Sequence, residues 1–161
     1  MSTPNAAAVL AFTLLAGCAS TQIGVKSGEI PSWINRLPQT EGKLYAVGIS
    51  GPTYYPEDAK LNAAENARKE LAKSLSVRVQ ALYLALQRGE GHQESEISLV
   101  TVSFWAIDIV VLHSQVLELW VDQDAKIANS EPGTVYALAL IDLDTVRRTL
   151  KSHIESNKNT Q

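Results

Sequence analysis

The fold is decided by residues 57–87, which read EDAKLNAAENARKELAKSLSVRVQALYLALQ. Apolar side chains recur in this stretch at spacings of three and four residues, which predicts one long amphipathic helix. The stripe is rich in alanine first and in leucine later, and comprises Ala59, Ala63, Ala64, Ala67, Leu71, Leu75, Val79, Leu82 and Leu86. The alanines predict that the helix lies close to a sheet. Arg88, a basic residue in the last turn, and Gly89 after it predict that the helix ends here.

Three strands are predicted around this helix. Residues 43–50, KLYAVGIS, are apolar on both faces, which indicates a strand covered on both sides, and Gly48 in it indicates a close approach of another backbone. Residues 114–122, SQVLELWVD, alternate, with Leu117, Leu119 and Val121 on one face. Residues 134–141, TVYALALI, form the third strand, after a long hairpin connection.

Residues 97–112 are densely apolar and leave two interpretations open. Their β-branched side chains favour a strand, whereas their length favours a buried helix, which is the interpretation we adopt. If this helix is partly exposed, its apolar surface requires a partner. A closing helix is predicted over residues 142–156, with Asp142 or Asp144 as its cap.

The predicted order of elements is β-α-α-β-β-α. It indicates an α+β fold in which a small antiparallel sheet of about three strands packs against helices. We place this single domain at residues 31–156 and a polar tail at residues 157–161. Trp33 lies between Pro31 and Pro38, and is predicted to pack on the domain as a lid, the alternative being contact with a membrane or a partner.

The N-terminal region carries a processing motif. Residues 6–15 are apolar, about half of the ~20 residues that span a bilayer but a good length for a secretory signal. Leu15-Ala16-Gly17-Cys18 follows, and it resembles the lipobox of bacterial lipoproteins. The resemblance implies cleavage between Gly17 and Cys18, removal of residues 1–17 as a signal peptide, and attachment of acyl chains such as palmitate to Cys18. Residues 18–30 would then be a lipidated tether. Ala19, directly after the lipidated cysteine, resembles the sorting residue of lipoproteins that are directed to the outer membrane.

Composition and motifs argue against several other classes of function. The 161 residues carry a formal net charge of −3 without a basic block, which disfavours nucleic-acid binding. His92, His113 and His153 are too dispersed to form a metal-ligand motif, and the chain has no Gly-rich phosphate loop, GxSxG or HExxH sequence. We therefore predict a protein that is not an enzyme, with no catalytic residues, no metal site and no cofactor.

The order of several short motifs across residues 31–150 resembles one bacterial family. The motifs are Pro31-Ser32-Trp33, Tyr45-Ala46-Val47-Gly48, Asp58-Ala59, Ala63-Ala64, Ala67-Arg68, Leu119-Trp120-Val121-Asp122 and Val135-Tyr136-Ala137-Leu138, followed by Asp142. The chain resembles the Lpp-twenty family of bacterial lipoproteins, and also flagellar assembly lipoproteins of the FlgP type, which share that domain. The resemblance implies an outer-membrane-associated, non-enzymatic domain, and FlgP-type members build rings around the flagellar motor.

The sequence thus predicts an outer-membrane lipoprotein whose domain faces the periplasm and has a structural or protein-interaction role in the cell envelope. Its expected partners are the membrane, through the lipid on Cys18, and other envelope proteins or further copies of itself. Trp33, Trp105 and Trp120 are the candidate contact residues, because aromatic side chains are enriched at interface hot spots. The alternatives are a periplasmic binding module for cell-wall or exported polysaccharide, and a component of a flagellar-motor ring.

Overall fold

A computed structural model describes residues 23–89 and 99–158. This part of the chain contains four helices and one four-stranded sheet, and the predicted α+β class is confirmed. In chain order the elements are β1 (Val25–Ser27), α1 (Ser32–Asn35), β2 (Lys43–Ser50), α2 (Pro56–Gly89), α3 (Leu99–His113), β3 (Gln115–Asp122), β4 (Thr134–Asp142) and α4 (Leu143–Lys158).

The sheet has the strand order β1-β3-β4-β2. β4 pairs antiparallel with β2 and with β3, whereas β1 pairs parallel with β3, with Val25 opposite Leu119. The sheet is therefore mixed and has four strands, where the sequence predicted about three antiparallel ones. β1 lies within residues 18–30, the predicted tether. Its three residues are all exposed, so no alternation marks it as a strand, and only its pairing with β3 reveals it.

A β-bulge changes which residues of β3 reach the core. The register with β4 shifts between Val116 and Glu118, so Leu117 is the extra residue. Val116 joins Leu119 and Val121 in the main core, and Leu117 is exposed. The prediction that Leu117 shares the face of Leu119 and Val121 was wrong, because strict alternation fails across a bulge.

Helix α2 lies directly against β2 at Gly48. A methyl group built on Gly48 would overlap the carbonyl oxygen of Ala63 and the backbone nitrogen of Ala67. The predicted close approach at Gly48 is confirmed, and it explains why the first half of the α2 stripe is made of alanine. Larger side chains at these positions would push the helix away from the sheet.

Six buried residues of α2 follow a four-residue repeat, and Ala64 is buried beside them. The six are Ala59, Ala63, Ala67, Leu71, Leu75 and Val79. Each step of four residues advances about 40° beyond a full turn of an α-helix, so the buried line winds roughly half-way around the helix. This winding allows α2 to pack against the sheet and then against α3, the helix that follows it.

The predicted helix over residues 97–112 is confirmed from Leu99, where the described residues resume, to His113. α4 begins at the predicted cap, since Asp142 Oδ1 accepts a hydrogen bond from the Thr145 backbone nitrogen at 2.8 Å. This bond holds the pKa of Asp142 below its usual range. The main core between the sheet and the helices takes its side chains from all three long helices and from β2, β3 and β4.

Candidate protein-interaction surface

Helix α3 is apolar on two opposite sides. Ala106, Ile109 and Val110 are buried in the main core. Four large apolar side chains on the other side, between 48% and 70% exposed, form what we call the α3 outer face: Phe104, Ile107, Val111 and Leu112. A helix with apolar residues all round is normally enclosed on every side. An exposed apolar surface of this kind marks a candidate interaction site.

Helix α2 carries a second exposed apolar stripe. Val77, Ala81 and Leu84 are spaced i, i+4 and i+7, which places them on one side of the helix, and we call them the α2 outer face. Val77 is 68% exposed and Leu84 is 42% exposed, whereas Leu75 and Val79 on the opposite side are buried. Helices α2 and α3 thus each expose apolar side chains on the side opposite their buried residues.

Charged groups lie on both outer faces. Asp108 is exposed on the α3 outer face, one helical turn after Phe104 and one turn before Leu112. Lys73 lies one turn before Val77 on the α2 outer face, and its ammonium group pairs with Glu70 at 2.5 Å. The two faces therefore resemble each other in apolar character, and the α3 outer face carries a carboxylate.

The three candidate tryptophans lie in different surroundings. Trp33 and Trp120 are both buried, in a smaller core with Tyr136 on the sheet face opposite α2. Trp105 is half-buried on α3, and its ring stacks on the His153 ring of α4 with centroids 5.6 Å apart. Trp33 and Trp120 therefore offer little surface to a partner.

The side chains of the α3 outer face are not among the candidate contact residues predicted from sequence. Phe104, Ile107 and Val111 recur at spacings of three and four residues, which predicts the buried side of a helix. The structure exposes these three side chains and buries Ala106, Ile109 and Val110 instead. One signal is available, because residues 97–112 have no extended polar side on which a surface helix would meet water.

Glu118 joins the N-terminal segment to the sheet. One carboxylate oxygen accepts a hydrogen bond from Lys26 Nζ at 2.8 Å, and the other accepts one from Trp33 Nε1 at 3.1 Å. Burial alone would raise the pKa of Glu118, but these two hydrogen bonds and the Lys26 charge outweigh it and lower the pKa. A shallow groove of about 590 Å³ runs beside these side chains.

Asp122 organises the connection between β3 and β4. Its fully buried carboxylate accepts hydrogen bonds from the backbone nitrogens of Lys126, at 2.7 Å, and Ile127, at 2.9 Å, and from Ser130 Oγ at 2.6 Å. Burial would raise the pKa of Asp122, but the three hydrogen bonds outweigh it and lower the pKa. These bonds fix a loop in which Asn129 adopts the left-handed backbone conformation.

Comparison with family models found no match for this chain, and comparison with curated proteins found none. Among the described residues, no helix is both long enough and apolar enough to cross a membrane. The same residues contain no cluster of three or more His, Cys, Asp or Glu side chains that would hold a metal ion. Gly17 and Cys18, the predicted cleavage and lipidation residues, lie outside residues 23–89 and 99–158.

Proposed function

We propose that this chain is a lipid-anchored protein of the bacterial outer membrane, with a non-enzymatic protein-interaction role in the cell envelope. Cys18 carries the lipid, and the α+β domain faces the periplasm. The anchor is supported by the sequence Leu15-Ala16-Gly17-Cys18 and by the short apolar run before it. The interaction role is supported by one observation above all, the exposed apolar surface of the α3 outer face.

The size of this surface supports a stable partner. Complete burial of one large apolar side chain contributes about 1.5–3 kcal/mol. The α3 outer face has four such side chains, each already removed from water in part. Their burial against a partner would contribute several kcal/mol before the entropic cost of association, which is comparable with the 5–15 kcal/mol that typically stabilises a folded domain.

The chemistry of the face favours a protein over a polysaccharide. Sugars are bound by exposed aromatic rings beside polar groups, but the rings of Trp33 and Trp120 are packed in a core. The α3 outer face instead offers aliphatic side chains and Phe104 around one carboxylate, Asp108. A helical protein surface with a cation would complement it. A flagellar-ring component would be a special case of this same role.

Mass spectrometry of the protein isolated from cell membranes tests the anchor. We expect a mature chain that begins at Cys18 and carries acyl chains on it, because three such chains hold a protein stably at a bilayer. The Cys18→Ser variant should retain residues 1–17 and lack the lipid mass. A mature wild-type protein with a free Cys18 thiol would contradict the proposal.

A further inference from the structure

We propose that the free edge of β2 binds an extended peptide segment of another protein, which adds a strand to the sheet. This inference goes beyond the proposed function, because it concerns a surface separate from the α3 outer face and from the lipid anchor. Three features support it: unpaired backbone groups along β2, two cavities beside this edge, and an arginine that pairs with no described carboxylate.

Alternate residues of β2 direct their backbone groups to the free edge. β2 is the last strand in the order β1-β3-β4-β2, so within residues 23–89 and 99–158 it pairs only with β4. The Gly42 carbonyl oxygen accepts a hydrogen bond from the Leu143 backbone nitrogen at 2.8 Å, which shows that even-numbered residues face β4. Tyr45, Val47 and Ile49 therefore direct their N–H and C=O groups away from β4.

The available part of this edge lies at Tyr45 and Val47. The Ile49 carbonyl oxygen already accepts a hydrogen bond at 2.9 Å from the side-chain amide of Asn66 on α2. No hydrogen bond between described residues occupies the edge-facing backbone groups of Tyr45 and Val47. A peptide backbone alongside β2 would supply donors and acceptors in the geometry of a sheet, with about four hydrogen bonds to these two residues.

The two edges of the sheet differ in their protection against strand addition. On the β3 side, β1 covers Leu119 to Val121, and the bulge at Leu117 interrupts the rest of the edge. β2 instead has eight residues in continuous register with β4, with no proline and with Lys43 as its one charged residue. Such a long and regular edge is a template for pairing with another chain.

The larger cavity indicates an apolar side chain on the peptide. It has a volume of about 520 Å³ and is lined in part by Ile34, Val47 and Ile49. Val47 packs in the smaller core, so this cavity lies on the sheet face opposite α2. Ile49 is 52% exposed there. An aliphatic side chain of an added strand would cover it, as side chains of bound strands do in other complexes of this kind.

The second cavity indicates an acidic side chain. It has a volume of about 450 Å³ and is lined by Leu44, Tyr45 and Arg78, together with the charged residues Lys43 and Glu41. Arg78 is exposed on α2 and forms no ion pair with a described residue. Its guanidinium group would bind a carboxylate through two hydrogen bonds.

The pleat of the sheet sets the spacing of these two side chains. Successive residues of a strand point to opposite faces, and Arg78 reaches the edge from the α2 face. The acidic residue of the peptide therefore points to the α2 face and the apolar residue to the other, so an even number of residues separates them. A polysaccharide has no such alternation of backbone donors and acceptors, which favours a peptide as the ligand.

Amide hydrogen exchange tests strand addition directly. The protein is the full chain with Cys18→Ser, and the probe is a peptide selected on it from a library of random linear eight-residue peptides. In the free protein we expect the Tyr45 and Val47 amides to exchange fast, and the Gly48 amide, which faces β4, to exchange slowly. The peptide should slow exchange at Tyr45 and Val47 by about tenfold or more. A library without a binder, or peptides that protect only other regions, would overturn the proposal.

Val47→Pro removes the edge-facing N–H of Val47 and places a ring carbon on the edge. The hydrogen bonds between β2 and β4 come from the even-numbered residues, so a proline here is compatible with an edge strand. We expect the variant to keep the circular dichroism spectrum of the parent and to bind the selected peptide at least about tenfold more weakly. A folded variant with unchanged affinity would show that the peptide does not pair with β2.

A charge exchange supplies a second test that does not depend on folding of the proline variant. Arg78→Glu should weaken binding of the selected peptide by roughly fivefold or more, and a peptide with lysine in place of its acidic residue should recover the loss. Arg68→Glu is the matched control, because it makes the same change of charge on α2 outside the cavity. Equal losses in the two variants, or no recovery, would contradict the role of Arg78.

These experiments distinguish the peptide site from the proposed function. The protein is unlipidated, and none of the variants changes the α3 outer face. Failure of the peptide site would therefore leave the lipid anchor and the α3 outer face to be judged by their own experiments.

Discussion

Gly48→Ala is expected to unfold the domain or to reduce its free energy of unfolding by more than about 3 kcal/mol. The added methyl group would overlap backbone atoms of Ala63 and Ala67, and backbone atoms cannot rotate away as a side chain can. Helix α2 would have to move off β2, and the alanine contacts along its first half would be lost with it. Few exposed or loop positions can have an effect of this size.

Urea unfolding followed by circular dichroism measures this effect. Gly51→Ala is the matched control, because it is three residues further along the chain and a methyl group there meets no atom within 4 Å. We expect the control to change the free energy of unfolding by less than about 1 kcal/mol. Equal stability of the Gly48→Ala and Gly51→Ala variants would show that α2 does not depend on close contact with β2.

Asp122→Asn is expected to lower the free energy of unfolding by about 2–4 kcal/mol at neutral pH. The asparagine side chain is almost the same size, but one carboxylate oxygen becomes an NH₂ donor. Both oxygens of Asp122 accept hydrogen bonds from backbone nitrogens. In either orientation of the asparagine amide, its NH₂ group would therefore face a backbone N–H donor. The 123–133 connection loses its fixed geometry, and a buried N–H loses its acceptor.

The same residue predicts an acid dependence. The folded-state pKa of Asp122 is lowered, so its stabilising effect is complete above the unfolded pKa of about 3.9 and is lost as the pH falls through the folded pKa. The free energy of unfolding should fall below about pH 4, and less steeply in Asp122→Asn. Glu118 and Asp142, whose pKa values are also lowered, should preserve part of the slope.

Asp124→Asn is the control for both measurements, since Asp124 is exposed and its contact with Lys126 is a surface ion pair of 3.4 Å. Such pairs contribute little to stability. We expect this variant to keep the parent's unfolding curve and its acid slope. An Asp122→Asn variant with the stability and slope of the Asp124→Asn variant would refute the role assigned to Asp122.

The parts of the fold that were predictable from sequence are those whose local pattern and tertiary surroundings agree. The four-residue repeat of α2 corresponds to a buried line on the helix, and the continuous apolar run of β4 corresponds to a strand that is buried on both faces. β1 was not predictable, because a three-residue exposed strand has no pattern of its own and depends on its pairing with β3 and on the contact between Lys26 and Glu118. The bulge at Leu117 likewise follows from pairing with β4.

The candidate surface was only partly predictable. The sequence indicates that a helix over residues 97–112 would require a partner if it were partly exposed. The candidate contact residues, however, rest on residue type alone, which favours the tryptophans. Two of these, Trp33 and Trp120, pack in a core because large rings also fill the gap between a sheet and the segments that cover it. Exposure depends on the direction in which a side chain points, and composition does not give that direction.

Photo-cross-linking from the α3 outer face tests the interaction role most directly. We predict that a photoreactive side chain in place of Val111, which is 65% exposed, gives a discrete protein adduct when the lipidated protein is cross-linked in cells. The same side chain in place of Leu61, which is 69% exposed on α2, should give none. Equal labelling from both positions, or no adduct from Val111, would contradict the account.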